Sequence, residues 1–151
     1  MPVIQLLVHA TVGGLSVLAA LWVTVELLNV REGNTERIKL AATSTFVLIW
    51  AAYLIGGWFY VFHYGADKAI IKAGHWPWAH NYFTEVKEHL FFILPLLATY
   101  LLIVIKRNNV LANKNARKLS MAVSSMIAII ALAMEGFGSI IAMGVKQGLL
   151  K

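Results

Sequence analysis

Four stretches of this chain are almost free of charge over lengths that a soluble domain of its size has no use for. Val3 to Val25 and Leu40 to Phe62 each run 23 residues without an Asp, Glu, Lys or Arg. Met121 to Val145 runs 25 residues with Glu135 as its one charged residue, and Leu90 to Ile105 adds 16 more. A hydrocarbon core about 30 Å thick is crossed by ~20 helical residues rising ~1.5 Å each. Strands cross a bilayer only as closed barrels, whose polar–apolar alternation these runs lack. Charged residues make up 13% of the chain, against about 25% in a soluble domain. The expected fold class is all-α: an integral membrane four-helix up-and-down bundle with a short interfacial segment between helices 2 and 3. The chain reads as one transmembrane domain over 1–151, with helices near 3–29, 38–63, 78–106 and 118–147.

The third apolar run is too short to cross alone, so its helix must take about a turn from the polar residues before it. That brings His89 and Glu88 to the hydrocarbon boundary. Pro77 suits the first turn of this helix, where its missing N–H is no loss. Pro95 falls mid-span, where a kink is expected. Residues 66–80 contain an apolar run too short to span (Ala69, Ile70, Ile71, Ala73), and Trp76 and Trp78 suit a surface position.

Basic residues give the orientation. The connectors after helices 1 and 3 hold eight (Arg31, Arg37, Lys39, Lys106, Arg107, Lys114, Arg117, Lys118), and the opposite side holds five (Lys68, Lys72, Lys87, Lys146, Lys151). The positive-inside rule places the first set in the cytoplasm. In a prokaryote this is the cytoplasmic membrane, with both termini and residues 63–88 outside. The net charge of +6 sits at helix ends, which points to an anionic leaflet as partner and away from nucleic acid. The N-terminus lacks the basic leader of a signal peptide, so helix 1 is expected to be retained. The absence of cysteine excludes disulfides, iron–sulfur clusters, thiolate copper and thioether-linked haem.

The unusual chemistry collects on the outer side. Four of the five histidines (His63, His75, His80, His89) lie between Phe62 and Leu90, and His9 lies two turns into helix 1. In an up-and-down bundle His9, His63 and His89 come from three helices at similar depth, with Glu135 of helix 4 slightly deeper. Imidazole and indole rings are also ordinary residents of the headgroup region, which accounts for Trp58, Tyr60, Tyr64, Trp76, Trp78 and Tyr82 as an interfacial belt. His9 and Glu135 resist that account. An imidazole in an apolar helix needs a partner, and a mid-span carboxylate costs ~3 kcal/mol or more.

Glu85 and His89 are spaced i, i+4 and share a helix face with Tyr82, so the carboxylate could orient the ring as metal ligands require. Alternatively Glu85 and Glu88 simply charge a helix N-terminus. Both, with His89, could be ligands of the kind seen in di-iron bundles, but the Glu-x-x-His pair those need does not occur. Gly56 precedes His63 by two turns, Gly13 follows His9 by one with Ser16 continuing the stripe, and Gly136 and Gly138 flank Glu135. Such small residues beneath histidines make room for a planar cofactor, or for close helix packing.

Four helices, histidines on different helices and glycines on the same faces resemble the small membrane-bound b-type cytochromes. The resemblance is one of layout and implies haem b in the outer half only, where every histidine falls. His63 and His89, then His9, then His80 are the ordered candidates for axial ligation, with Gly56 and Gly13 making room. A second reading is a non-haem Fe, Cu or Zn site built from His63, His89, His9, Glu85, Glu88 and Glu135. A third is a cofactor-free accessory subunit of a respiratory or transport complex. An enzymatic role, if any, would be that of a membrane oxidoreductase acting with a quinone or a redox partner on the outer side. Homo- or hetero-oligomers are compatible with all three.

Overall fold

The computed structural model describes residues 3–150. They are helical almost throughout, with no strand among them. Helix α1 (Val3–Leu28) leads through a 3₁₀ turn (Glu32–Asn34) into α2 (Thr35–Phe62). A short helix α3 (Tyr64–Ala73) follows, then a π-helical turn (Ala79–Thr84) that continues into α4 (Glu85–Leu90). Helix α5 (Ile93–Arg107) and the 36-residue α6 (Lys114–Leu149) complete the chain. Val3–Leu28, Glu32–Phe62, Ala79–Arg107 and Lys114–Leu149 are long and apolar enough to cross a membrane. The expected boundaries shift little. α2 begins three residues early because the 3₁₀ turn feeds directly into it, and α6 gains a turn from its cap.

Helix α1 packs against α2 and α6, and α5 packs against the same two. The main core lies on the inward faces, with Val17, Ala20, Val23 and Leu27 of α1 against Val123, Ile127, Ala128 and Ala131 of α6. Small residues let these two backbones approach closely. Thr24 Oγ1 and Ser124 Oγ bond across the same seam at 2.9 Å.

The connectors at the basic end are fixed by asparagines. Asn34 is buried and saturated: its Oδ1 accepts from Arg31 N (2.9 Å), while its Nδ2 reaches Glu26 O, Glu26 Oε2 and Asn29 O. One side chain thus satisfies carbonyls orphaned at the end of α1. Asn113 caps α6, its Oδ1 accepting from Ala116 N at 3.0 Å.

The third long helix is not continuous. Residues 91–92 are turn, and the Leu96 N to Phe92 O bond is stretched to 3.5 Å. Pro95 has no N–H for Phe91 O and its ring crowds that carbonyl, so the expected kink takes the form of a break one turn upstream. Pro77 stands at the start of this helix, its carbonyl accepting from His80 N and Asn81 N.

Helix α6 is about 54 Å long, well beyond a ~30 Å hydrocarbon core. Its last turns form a second, smaller core with α3 and the π turn, made of Tyr64, Ile71, Ala79 and Val145. Glycines permit it: a Cβ on Gly144 would stand 2.8 Å from Ala79 Cβ, and one on Gly74 would stand 2.8 Å from Gly148 Cα.

Candidate functional site

The ionisable residues inside the apolar helices meet at one level. His9 of α1 is half-buried against α2, its Nδ1 lying 3.1 Å from Ala52 O. Gly56, one turn further along α2, makes room for the ring; a Cβ there would lie 2.6 Å from His9 Cε1. Gly13, one turn along α1 from His9, faces the Glu135 carboxylate of α6, and a side chain at that glycine would collide with it. Lys87 of α4 interacts electrostatically with both His9 and Glu135, and its Nζ stands 3.3 Å from where a Gly138 Cβ would be. Ser139 donates to the Glu135 main-chain carbonyl and not to its carboxylate. Among the described residues Lys87 is the charge that acts on Glu135. Opposite charges at the same level offset part of the desolvation each would suffer alone.

A second polar group lies under α3. Tyr64, Asp67, His80 and Thr84 are all buried. Tyr64 Oη is 2.8 Å from His80 Nδ1 and 2.7 Å from Thr84 Oγ1, and Thr84 also reaches Ala79 O at 3.4 Å. The π turn makes this possible, because its wider winding brings His80 and Thr84 to the same side. Burial pushes the Tyr64 hydroxyl above the ordinary phenol range, so it stays protonated and donates. Burial likewise raises the Asp67 carboxyl, opposed in part by His63.

The remaining candidates occupy separate settings. His63 ends α2, tilted against Trp58 and Phe59, with its Nε2 buried and without a hydrogen-bond partner. His89 is exposed on α4, its Nδ1 2.6 Å from Glu85 O. The i, i+4 relation with Glu85 thus operates through the main chain and not the carboxylate. Glu88 accepts from Tyr60 Oη at 2.6 Å, while Glu85, His75 and Tyr82 are exposed. Gly56 opens space for His9 of the neighbouring helix, not beneath His63 on its own. Among the described residues no three His, Asp or Glu side chains come together as a metal-binding group.

Two features escaped the sequence reading. In the sequence Lys87 stands only as an outer-side charge; the signal for its role is Glu135, whose mid-helix carboxylate is costly without a cation at its own level. The Tyr64–His80–Thr84 network had no signal, because π winding is not written in side-chain periodicity.

At His9 and His89 the chemistry of the partner fixes the proton. A carbonyl oxygen only accepts, so Nδ1 carries the hydrogen in both rings. In the neutral imidazole Nε2 is then left with its lone pair, the form that coordinates metal.

Comparison of the chain with protein-family models, curated proteins and solved structures returns no match.

Proposed function

We propose that this is an integral membrane protein, four helices threaded up and down through the bilayer, that holds noncovalent haem b as an electron-transfer or redox subunit. The membrane placement is supported by the four long apolar helices. The eight basic residues of the 30–39 and 106–118 connectors, against five on the other side, favour the orientation with those connectors in the cytoplasm. The observation that carries the haem reading is the contact of His9 Nδ1 and of His89 Nδ1 with main-chain carbonyls, which leaves each Nε2 as the free ring nitrogen. The buried Nε2 of His63, without a hydrogen-bond partner, is the third ring nitrogen this reading can use.

In this reading two of His9, His63 and His89 would hold the haem. Bound haem supplies a one-electron carrier, and without a cysteine the attachment is noncovalent. The chain's own residues hold and orient the rings: Ala52 O and Glu85 O fix the imidazoles, while Gly56 gives His9 its place. A quinone or a redox protein on the outer side is the proposed partner.

The test is an absorption spectrum and haem assay on detergent-extracted protein. A Soret band is expected, abolished or shifted by alanine at a true ligand and unchanged in His75→Ala. Retention of the parental spectrum by His9→Ala, His63→Ala and His89→Ala, each made separately, would overturn the ligation. Stoichiometric metal without haem would replace the reading with the non-haem site, and neither haem nor metal would replace it with the accessory subunit.

A further inference from the structure

The largest concentration of basic residues is not at the histidine end. At the opposite end, eight Lys and Arg residues of the two connectors and adjoining turns stand against three acidic ones, Glu26, Glu32 and Glu36. Two of the acids are committed. Glu26 accepts from Asn34 and pairs with Arg37 at 3.2 Å, and Glu36 pairs with Lys39 at 2.8 Å.

Between the start of α2 and the end of α5 lies a cleft of about 450 Å³. Lys39 stands on one wall and Lys106 on the other. Asn109 also lines the cleft, its Oδ1 used by Leu111 N and Ala112 N, which leaves the amide nitrogen as a donor. The Thr35 hydroxyl already donates to Glu32 O and adds no free donor. The floor is apolar, made of Ile105, Val110 and Leu111. Beyond it, the exposed side chains of Leu40 on α2 and of Ile103, Tyr100 and Leu96 on α5 continue away from the cleft. Polar donors at the mouth and an apolar track leading from it match an amphiphile, not a free ion.

The geometry points to a binding site for the headgroup of an anionic phospholipid, its phosphate between Lys39 and Lys106 and its acyl chains along Ile103, Tyr100 and Leu96. Basic clefts between helices at a membrane surface take such headgroups. The Lys39–Glu36 pair does not bar entry: it is an exposed i, i+3 pair, worth well under a phosphate contact. Glu32, on the cleft wall, is the one opposing charge. This inference rests on the membrane placement and is independent of haem.

Native mass spectrometry of the detergent-solubilised chain, titrated with phosphatidylglycerol and separately with phosphatidylcholine, tests it. Phosphatidylglycerol is expected to bind one-to-one and more tightly than phosphatidylcholine. Lys39→Gln and Lys106→Gln each weaken it about five-fold, the equivalent of about 1 kcal/mol per basic residue. Lys72→Gln, on α3 at the other end, leaves it unchanged. Equal affinity for the two lipids, or no loss in either cleft variant, overturns the site. Displacement of the lipid by equimolar inorganic phosphate overturns the lipid as its occupant. Failure of the chain to enter membranes at all, read by carbonate extraction, is a distinct result and removes the placement on which the site depends.

Discussion

A methyl group added at Gly56 meets the His9 ring 2.6 Å away, whereas one added at Gly14 meets nothing within 4 Å. Both glycines are helical, so alanine brings each the same gain in helix propensity, about 0.5–1 kcal/mol. At Gly14 that gain should appear undiminished. At Gly56 the ring must leave Ala52 O, and the overpacking should reverse the sign, giving a net loss of about 1–3 kcal/mol. Thermal unfolding of the two variants in detergent separates them, and equal behaviour would place His9 elsewhere. Asp67 makes a prediction in pH. Burial raises its pKa in the folded chain above the ordinary 3.8, so between those values the folded state binds more protons than the unfolded one. Stability is then greatest below the ordinary pKa and falls as pH rises through the window above it. Asp67→Asn should flatten that slope in a pH series of melting temperatures; an unchanged slope would mean the carboxyl is solvated.

At the scale of elements, Lys87 of α4 and Glu135 of α6 lie within electrostatic reach of each other. Removing one partner leaves the other charge uncompensated, so Lys87→Met and Glu135→Gln should each destabilise more than their combination suggests. The double-mutant cycle should return an interaction of about 0.5–3 kcal/mol; strict additivity would show that the two side chains do not sense each other. Helix existence was legible because charge-free runs of that length have few alternatives. The break at residues 91–92 was legible through Pro95, displaced by one turn because the lost bond belongs to the carbonyl four residues back. The π turn at Ala79–Thr84 was not legible, nor was the exchange by which Gly56 serves His9 and Gly13 serves Glu135. Periodicity tells which residues share a face, but which neighbouring helix that face meets is decided by packing.

For the whole molecule, the testable property is sidedness. The chain has no cysteine of its own, so single cysteines at Asn34 and Asn109 report without background. Asn109 is exposed; Asn34 is buried and hydrogen-bonded, which makes exposed Gly33 a gentler site in the same turn. With the basic end in the cytoplasm, an impermeant maleimide should label neither Gly33→Cys nor Asn109→Cys in intact cells and both after permeabilisation. Labelling from outside would invert the proteins' two faces and carry the histidines inward. Of the candidate site, the sequence revealed His9 and Glu135 as residues in need of partners, because burial of such groups is costly wherever they land. The partners themselves, Ala52 O and Lys87, depended on the assembled helices.

The close glycine contacts between α3 and α6 have a consequence for biosynthesis. Residues 64–84 are made well before Gly144 and Gly148, against which Ile70, Gly74 and Ala79 finally rest. Until those last turns arrive, Ile71 and Ala79 lack the surface that covers them, and Tyr64, His80 and Thr84 can exchange their mutual bonds for water. The packing over the histidine end is thus completed only when residues 144–148 have been made, and a ribosome halted before residue 144 would carry four apolar segments with that packing still open.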